Sequence, residues 1–568
     1  MKSKLPVPLI FLLFSCQFIL AQWSSDPLSN TQLSNSPGEQ VIPKVAVCSN
    51  SDLYVSWFSN ESGNYNVRLQ LLDKDGNELW SPNGILVSNH EQMSWLTDWD
   101  LAVDTANFAV LTFQDIRSGN NNPIAYRVSP DGEMMWGNDG ISLSNNANFE
   151  PSPKVCATDA GNAVFAWQSE ASGGSEIHLQ KITADGQTLW SDGIIYSSTG
   201  VDYTYPYLRP ATNDQVFLIW HKQTGPTWAP NRGLYVQLLD ADGNFVWEND
   251  LEVYAPVASG PVISLQLASD YNGGIVFTWY YNDVGTHFNC KVQHMNNSGN
   301  LSLPANGVFV ATFMNRNHMY PAPAFLPQTQ ELIVYFSEQD LNQNQRGLYA
   351  QKFDMEGNRL WTDQGKELIP LSNNDYSLPV ASGLDDKAIC IYQSTETMSG
   401  SNTKIQAVML DSDGNYVWDD EFIDMSTAQS SKLHMVVTDH YYFQWVAVWE
   451  DERNDSGDIY AQNIQKDGTL GEVITSIHDP ISRQAYVEVK AQPNPFIDRV
   501  SLTVSSTQHG KVLFEVFSVD GQRIHSSVLT KPAGEAQFEW DASEHPSGIY
   551  FYNVRLNGVN KQGTVIKR

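Results

Sequence analysis

Carboxylates in the loops of this chain are the residues whose types and spacing could do chemistry. Two carboxyl groups about 5–10 Å apart can hydrolyse a glycosidic bond, one as the acid and the other as the base or nucleophile. The available carboxylates are Asp98, Asp100, Asp115, Asp283, Glu338 and Asp451. Because no motif marks a pair among them, polysaccharide degradation is an alternative function for which the sequence chooses no catalytic residue.

Aromatic and charged side chains in the same loops suggest binding instead. A flat apolar ring beside a few polar groups is the usual composition of a small-ligand or sugar site, and loops on a rigid scaffold are its usual place. The candidate ligand-binding residues are Trp95, Trp99, Asp115, Arg117, Trp228, Arg232, Asp283, His287, Asp451 and Arg453. The first function hypothesis is therefore a non-catalytic binding or adhesion module for a glycan or another surface protein.

Two of these candidate pairs have a second interpretation. Arg117 follows Asp115 by two residues, and Arg453 follows Asp451 by the same spacing. Both pairs fall at the same position of a long repeat. A feature that recurs from repeat to repeat belongs more often to the scaffold than to a site. The recurrence therefore favours a structural ion pair in each case.

The repeat that must position these loops is a short phrase: Asp-Gly, then three residues, then Trp. Its glycines stand at 76, 132, 186, 243, 299, 357, 414 and 468, so successive copies are 54 to 58 residues apart. Each copy contains four short strand-like runs, with Asp-Gly as a hairpin turn. Four antiparallel strands repeated radially form a propeller blade. The sequence predicts an all-β fold, an eight-bladed β-propeller, with seven blades as the alternative.

The last copy of the phrase is incomplete. Asp467-Gly468 is followed by no Trp, whereas Trp23 near the other end leads a run that resembles the fourth strand after Trp190. We therefore expect the N-terminal segment to supply the outer strand of the eighth blade. Closing the ring in this way leaves no unpaired blade edge for aggregation.

The remaining features set the boundaries and the compartment. Lys2 and Lys4 precede an apolar run that ends at Ala21, which predicts a signal peptide over 1–21 and export. The propeller is predicted over 22–478, a linker over 479–486 and a further unit over 487–568. No other run is long and apolar enough for a transmembrane anchor. The net charge of −31 argues against a nucleic-acid partner.

Metal and thiol chemistry receive little support from the sequence. Cys48, Cys156, Cys290 and Cys390 lie in apolar strand contexts without a Cys-x-x-Cys pair, so we expect buried free thiols. No cofactor is predicted. Calcium at Asp73 and Asp75 is an alternative, because Asp-x-Asp-Gly is similar to the start of an EF-hand loop. The chain is expected to be a monomer.

The C-terminal unit, whose short strands predict a small Ig-like β-sandwich, carries a family resemblance. It resembles the type A C-terminal sorting domain of Bacteroidetes type IX secretion cargo. The matching positions include Pro493, Asn494, Pro495, Phe496, Gly521, Gly548, Tyr550, Lys567 and Arg568. The resemblance implies a protein at the outer cell surface or released from it, with the type IX secretion machinery as partner.

The repeated phrase has a resemblance of its own. It is similar to the Asp-box of sialidase-type propellers, although Gly and Trp are four residues apart here and three in that box. Such boxes are structural, so the Trp of each copy is expected to pack between neighbouring sheets.

Overall fold

The computed structural model describes residues 22–93, 96–226, 230–258, 264–282, 287–313, 315–398, 400–473, 487–506, 510–519, 522–531, 534–556 and 559–568. Within these ranges every regular element is a β-strand, which confirms the all-β prediction. None of the described residues forms a helix that is long and apolar enough to cross a membrane. The chain divides into two compact units, Met1–Val473 and Ile474–Arg568.

The N-terminal unit begins with a short strand, β1 (Thr31–Gln32), and continues with four-stranded antiparallel sheets in chain order. Sheet 1 consists of β2 (Gln40–Val47), β3 (Leu53–Ser59), β4 (Asn66–Leu72) and β5 (Ile85–Ser88). Sheet 2 consists of β6 (Asp100–Val103), β7 (Ala109–Asp115), β8 (Asn122–Val128) and β9 (Ile141–Ser142). Sheet 3 consists of β10 (Lys154–Ala157), β11 (Ala163–Ala171), β12 (Gly174–Ile182) and β13 (Ile194–Tyr196).

The same order repeats in the middle of the unit. Sheet 4 consists of β14 (Val201–Pro210), β15 (Val216–Thr224), β16 (Asn231–Leu239) and β17 (Leu251–Ala258). Sheet 5 consists of β18 (Ser264–Ser269), β19 (Ile275–Asn282), β20 (Phe288–Met295) and β21 (Val308–Phe309). Sheet 6 consists of β22 (Arg316–Leu326), β23 (Glu331–Asp340), β24 (Arg346–Phe353) and β25 (Lys366–Ser372).

The last two sheets differ in how they are completed. Sheet 7 consists of β26 (Asp375–Leu384), β27 (Lys387–Thr395), β28 (Thr403–Asp411) and β29 (Phe422–Ser426). Sheet 8 takes three strands from the end of the unit and one from its start: β30 (Lys432–Val437), β31 (Gln444–Asp451), β32 (Asp458–Gln465) and β1.

Hydrophobic clusters lie between consecutive sheets rather than inside one central core. Aromatic residues of the second strands, such as Trp57, Phe113 and Trp220, are fully buried in them. One cluster joins sheets 1 and 2, and others join each following pair through sheets 7 and 8. A further cluster joins sheet 8 back to sheet 1, where Val448 packs with Val55. The succession of sheets is therefore closed on itself.

The Trp of the repeated phrase connects each sheet to the next. Trp190 is 5% exposed, its indole Nε1 donates to the carbonyl of Ala241 at 3.3 Å, and its ring covers Gly243 in the next copy of the phrase. A Cβ built on Gly243 would lie 2.9 Å from that ring, and this glycine also has a φ of +87°, so no other residue fits there. Trp80 and Trp418 donate to the next turn in the same way. The packing role expected for this Trp is thus borne out.

The turn itself is held by the residue three positions before the glycine. In the first copy, Oδ1 of Asp73 accepts the backbone N–H groups of Asp75 and Asn77, both at 2.9 Å. Asp240, Asn296 and Asp354 do the same in later copies. Such side-chain-to-backbone bonds are the Asx turns that Asp and Asn favour. Asp73 therefore has a structural role, and calcium at Asp73 and Asp75 stays a prediction.

The N-terminal segment completes sheet 8, as the incomplete last copy of the phrase predicts. Thr31 and Gln32 pair with Ala461 and Tyr460 of β32. Trp23 is 3% exposed, donates from Nε1 to the carbonyl of Lys74 at 3.0 Å and covers Gly76. Trp23 thus takes the place of the Trp that is missing after Gly468.

The four cysteines expected as buried thiols are buried and free. Burial raises the pKa of Cys48 and Cys156 to about 12. Thiols with such pKa values are inert under ordinary conditions, since the thiolate is the reactive form. These residues act as small apolar side chains.

The C-terminal unit forms two sheets. The three-stranded sheet has the order β33 (Val487–Gln492), β34 (Arg499–Ser506) and β37 (Gly534–Asp541). The four-stranded sheet has the order β36 (Arg523–Lys531), β35 (Gly510–Phe517), β38 (Gly548–Leu556) and β39 (Val559–Lys567). A core of its own, containing Phe496, Phe514 and Trp540, is shared by the two sheets.

Candidate functional site

The structure places a large cleft on one face of the N-terminal unit. We call this the variable-loop face: it carries the bc loops, which join the second and third strands of a sheet, and the connecting loops, which lead from one sheet to the next. The cleft has a volume of about 1060 Å³ and lies over sheets 1 to 3. It is formed by the bc loops of sheets 1 and 2 and by the two connecting loops that follow these sheets.

Carboxamide side chains dominate the lining of the cleft. They are Asn60, Asn64, Asn89, Gln92, Asn120, Asn121 and Asn148. Tyr65 and Phe149 add aromatic rings, and Glu91 is the one carboxylate among the described lining residues. Carboxamides donate and accept hydrogen bonds without carrying charge. The lining is therefore matched to a neutral, polar ligand.

Several of these carboxamides are buried without a hydrogen-bond partner. Asn121 is 5% exposed, and neither its Oδ1 nor its Nδ2 is bonded within the described structure. Nε2 of Gln92, which is 7% exposed, and Oδ1 of Asn60 are in the same state. A buried polar group without a partner costs about 1–3 kcal/mol, and native proteins hold few of them. Two donors and two acceptors of residues that line the cleft are thus buried without a partner in the described structure.

Hydrogen bonds between the loops hold the cleft in shape. Oδ1 of Asn64 accepts the N–H of Gln92 at 2.9 Å, and the N–H of Ile116 donates to the carbonyl of Glu91 at 2.9 Å. The three loops around the first connection are therefore tied to one another. A site held in this way binds without a large cost of ordering.

A buried carboxylate supports the far wall of the cleft. Glu150 is fully buried, and its two oxygens accept from Asn122 at 3.0 Å, Asn146 at 2.7 Å and the indole of Trp167 at 3.1 Å. These bonds fix the connecting loop that presents Asn148 and Phe149. Glu150 is therefore a positioning residue, fully used by its partners.

Tyr65 is held at the opposite wall. Its hydroxyl donates to the carboxylate of Glu39. Burial and the neighbouring Glu39 raise the pKa of Tyr65 to about 12, so the phenol stays neutral. The ring is thereby fixed as part of the cleft surface.

The ligand-binding residues predicted from the sequence lie in different settings in the structure. Trp95, Trp228 and Asp283 lie outside the described residues. Trp99 was expected in a ligand-binding loop, but it is fully buried between sheets 1 and 2: its ring centre lies 4.9 Å from that of Phe58, and Nε1 donates to the carbonyl of Ile42 at 3.0 Å. Trp99 is therefore a packing residue between these two sheets.

The two Asp–Arg pairs are structural, as their recurrence indicates. Asp115 is fully buried and accepts from Nε of Arg117 at 2.8 Å. Asp451 is also fully buried, and it accepts from Arg453 at 2.5 Å, from Ser430 and from Trp449. With these oxygens occupied, both pairs have a structural role, and their part in ligand binding stays a prediction.

Arg453 also has partners in the N-terminal segment. It donates to the carbonyls of Leu28 and Ser29, at 3.3 and 3.0 Å, and to Oδ1 of Asn30 at 3.0 Å. Its guanidinium lies 4.0 Å over the ring of Tyr460. Arg453 therefore fastens the closing segment to sheet 8.

Arg232 and His287 do not join the cleft. Arg232, on β16 of sheet 4, donates from Nε to the side chain of Gln223 on the neighbouring strand. His287 is partly exposed and immediately precedes β20 of sheet 5. The cleft lies over sheets 1 to 3, so the structure does not bring these two residues together with it.

Asp98 is held by two lysines from neighbouring sheets. Burial alone would raise its pKa, but Lys44, 2.6 Å away, and Lys154 outweigh that effect and hold the pKa well below its usual range. Oδ2 of Asp100 accepts the N–H of Val155 at 3.1 Å. Both carboxylates connect the first strands of sheets 1 to 3, and neither lines the cleft.

Glu338, another carboxylate considered for catalysis, lies in a setting that raises its pKa. It is fully buried in sheet 6, where Nε of Arg316 lies 3.3 Å from its Oε1. Nε2 of His318 lies 3.8 Å from its Oε2, which has no hydrogen-bond partner in the described structure. Burial raises its pKa from 4.5 to about 7. No cleft opens at this residue among those found in the described structure.

We expect Glu338→Gln to remove a pH dependence of stability. Because the folded pKa exceeds the unfolded value, the folded state binds more protons between pH 4.5 and 7, and the free energy of unfolding falls as pH rises through that window. The full effect is about 3 kcal/mol. Chemical denaturation at pH 4.5 and 8 should show the variant more stable than wild type at pH 8 and nearly equal at pH 4.5. Glu356→Gln, an exposed carboxylate of the same sheet, is the control; a flat wild-type profile would contradict this account.

The two ends of the sorting resemblance meet in the C-terminal unit. Asn494 exchanges hydrogen bonds with β39, accepting from the N–H of Ile566 and donating to the carbonyl of Thr564, both at 2.9 Å. The N–H of Arg568 donates to the carbonyl of Phe496, also at 2.9 Å. The segment containing Pro493 and Pro495 therefore packs against the last strand.

The residues of this resemblance divide into core and surface. Phe496 and Tyr550 are buried against Trp540, whereas Pro493, Pro495 and Arg568 are exposed. Gly548 begins β38, and Gly521 lies outside the described residues. Lys567 is 8% exposed, and its Nζ donates to two backbone carbonyls, those of Ala542 and His545, both at 2.6 Å.

Comparison with known proteins identifies the C-terminal unit. Residues 490–568 match the family described as secretion system C-terminal sorting domain. The chain therefore carries a type IX sorting tail, is exported to the cell surface or the medium, and interacts with the type IX secretion machinery. A search of the curated proteins finds no match.

Solved structures resemble the chain at low identity. The structure of the Dos1 propeller is 12% identical, covers 79% of this chain and 97% of its own, and has a TM-score of 0.43. The polysaccharide lyase Uly1 is 8% identical, with 79% and 98% covered and a TM-score of 0.41. The α-L-arabinofuranosidase arb93a from Fusarium graminearum is 10% identical, with 77% and 98% covered and a TM-score of 0.34.

Proposed function

We propose that sheets 1 to 8 are the blades of a single eight-bladed β-propeller. The support is the set of hydrophobic clusters between consecutive sheets, of which the last returns from sheet 8 to sheet 1. The strand that the N-terminal segment adds to sheet 8 favours eight blades over seven. The C-terminal unit, with two sheets over one core, is assigned to the small Ig-like β-sandwich.

This propeller is proposed to be an extracellular binding module that holds a glycan in the cleft over sheets 1 to 3. The observation that carries the proposal is Asn121, a buried carboxamide that lines the cleft with both polar atoms unpartnered. A ligand with hydroxyl groups supplies partners for both atoms. The aromatic rings of Tyr65 and Phe149 offer apolar surface, which is the composition expected of a pocket for a small polar ligand.

Glycan binding is favoured over a protein ligand by the shape of the surface. Stable protein–protein interfaces use about 800 Å² on each partner and are rather flat. The feature here is a concave, amide-lined cleft whose volume is at the upper end of the range for small-ligand sites. An oligosaccharide of a few residues fits such a cleft.

Binding without turnover is favoured over hydrolysis. Canonical glycosidases place two carboxyl groups on either side of the scissile bond. Glu91 is the one carboxylate among the described lining residues, and the nearby Glu150 already bonds three side chains. A polysaccharide panel distinguishes the two functions: release of new reducing ends would support an enzyme, whereas retention without release supports a binding module.

We expect Asn121→Ala to lose glycan binding without loss of stability. A ligand that satisfies both amide atoms should bind at least tenfold more weakly to the variant, since a tenfold change is only about 1.4 kcal/mol. The free energy of unfolding should stay equal or rise, because the removed group had no partner to lose. Thermal melts and binding isotherms of the mature protein measure both effects.

The matched control is Asn342→Ala. Asn342 is an exposed asparagine on the bc loop of sheet 6, far along the chain from the cleft. Asn342→Ala should change neither the affinity for the glycan nor the free energy of unfolding. If Asn121→Ala binds every glycan of the panel as wild type does, the cleft is not the ligand site.

A further inference from the structure

We propose that the cleft selects uncharged glycans that present two adjacent hydroxyl groups, and that it rejects glycans bearing carboxylate or sulfate groups. This inference rests on the proposed function, because it names the ligand class of the same site. It follows from the chemistry of the unpartnered atoms in the cleft and from the charges beside them.

The unpartnered atoms are balanced between donors and acceptors. Asn121 offers one of each, Gln92 offers a donor at Nε2, and Asn60 offers an acceptor at Oδ1. If the amide of Asn121 is rotated by 180°, its oxygen and nitrogen change places, but the side chain still offers one donor and one acceptor. A hydroxyl group both donates and accepts, so it can satisfy either kind of atom.

An anionic group cannot satisfy this set. Ionised carboxylate and sulfate groups accept hydrogen bonds and donate none. Bound here, they would leave the acceptors of Asn60 and Asn121 buried and unpartnered. A site built to bond a hydroxyl rejects a ligand that lacks it strongly, because the buried polar groups of the site then stay unpaired.

The geometry of one carboxamide also specifies how the hydroxyls are arranged. Its oxygen and nitrogen are separated by one carbon, so two neighbouring hydroxyl groups on a sugar ring can bond them at the same time, one donating and one accepting. Asn121 is 5% exposed, so packing around it restricts rotation of the amide. Asn121 is thus assigned the role of reading a vicinal diol.

The charges at the cleft also disfavour anionic ligands. Glu91 is exposed within the lining, Glu39 accepts from Tyr65 at the wall, and no lysine or arginine is among the described lining residues. The chain as a whole carries a net charge of −31. A cleft lined by one sign of charge lowers the local concentration of ligands of that sign.

The test uses matched carbohydrate probes and the mature full-length protein at low salt. Cello-oligosaccharides and manno-oligosaccharides, which are β-1,4-linked, keep the adjacent hydroxyls at C2 and C3. Laminari-oligosaccharides, which are β-1,3-linked, have no such pair within the chain. The third probe is the β-1,4 set after oxidation of its primary hydroxyls to carboxylates. We expect the β-1,4 set to bind at least tenfold more tightly than the other two.

Single substitutions distinguish the recognition of adjacent hydroxyl groups from the rejection of carboxylate groups. Asn121→Ala should remove the preference for β-1,4 over β-1,3 chains. Glu91→Gln should keep that preference but narrow the discrimination against the carboxylated probe by about threefold, as expected for one exposed charge at low ionic strength. Glu133→Gln, an exposed carboxylate in the turn after β8 of sheet 2, should change neither the preference for β-1,4 chains nor the discrimination against the carboxylated probe.

The outcomes distinguish this inference from the proposed function. Equal or tighter binding of the carboxylated or β-1,3-linked probes, still abolished by Asn121→Ala, would overturn the inference and keep the glycan site. If no neutral or acidic carbohydrate binds, both are overturned.

Discussion

Deletion of residues 22–34 is expected to lower the melting temperature of the N-terminal unit by roughly 10 °C. The deletion removes two buried hydrophobic side chains, Trp23 and Leu33, which are 3% and 1% exposed. Truncation of such residues costs about 2–5 kcal/mol each, and a large domain loses only a few degrees or less per kcal/mol. It also removes β1, so β32 becomes an unpaired edge.

The loss of partners for Arg453 adds to the effect. Arg453 donates to three groups of the deleted segment, and the deletion removes all three while the ion pair with Asp451 remains. Buried hydrogen-bonding groups left without partners are costly. The deletion should therefore expose apolar surface of sheets 8 and 1, which binding of a hydrophobic dye would report.

Two single substitutions make the test specific. Trp23→Ala should reproduce a large part of the loss, whereas Leu28→Ala in the same segment should have little effect because Leu28 is 60% exposed. Differential scanning calorimetry measures all three proteins. A deletion variant that melts with wild-type temperature and enthalpy would show that the segment does not close the unit.

Removal of residues 487–568 is expected to abolish export across the outer membrane. The sorting tail occupies these residues, so the truncated protein should accumulate in the periplasm while the full chain reaches the surface or medium. The N-terminal unit should remain folded, because its sheets and their clusters are complete without the tail. Cell fractionation measures the location, and a thermal melt of the retained protein measures the fold.

Substitutions at Lys567 and Arg568 distinguish the sorting signal from the residues that stabilise the fold of the tail. The buried Nζ of Lys567 bonds two backbone carbonyls, so Lys567→Met should destabilise the tail. The side chain of Arg568 is exposed, so Arg568→Gln should leave the fold of the tail intact. Secretion of the truncated protein at the level of the full chain would contradict the sorting role altogether.

The repeat made the fold of the N-terminal unit predictable. The spacing of the Asp-Gly turns indicated the number and order of the strands, and the missing Trp after Gly468 pointed to Trp23. These inferences succeeded because the repeated residues make local contacts: each Trp packs on the next turn, and each turn is closed by a residue three positions before its glycine.

The cleft was not predictable in the same way. Its carboxamides come from four loops of sheets 1 to 3, and asparagine in a loop is indistinguishable from an ordinary turn residue. Only the structure shows that Asn121 is buried without a partner. Trp99 misled the sequence argument for the opposite reason, because an aromatic residue near a loop can still face the space between two sheets.

The closing strand also means that the two ends of the N-terminal unit are neighbours. Gly471 lies against Ser25, since a Cβ built on Gly471 would be 2.9 Å from that of Ser25. A short peptide could join these ends, and the chain could then begin at another exposed turn, such as the one at Gly137. Circular permutation would move the divided sheet to a different place in the ring. The division of sheet 8 would then be a consequence of how the chain connects the sheets and not of the packing of that sheet.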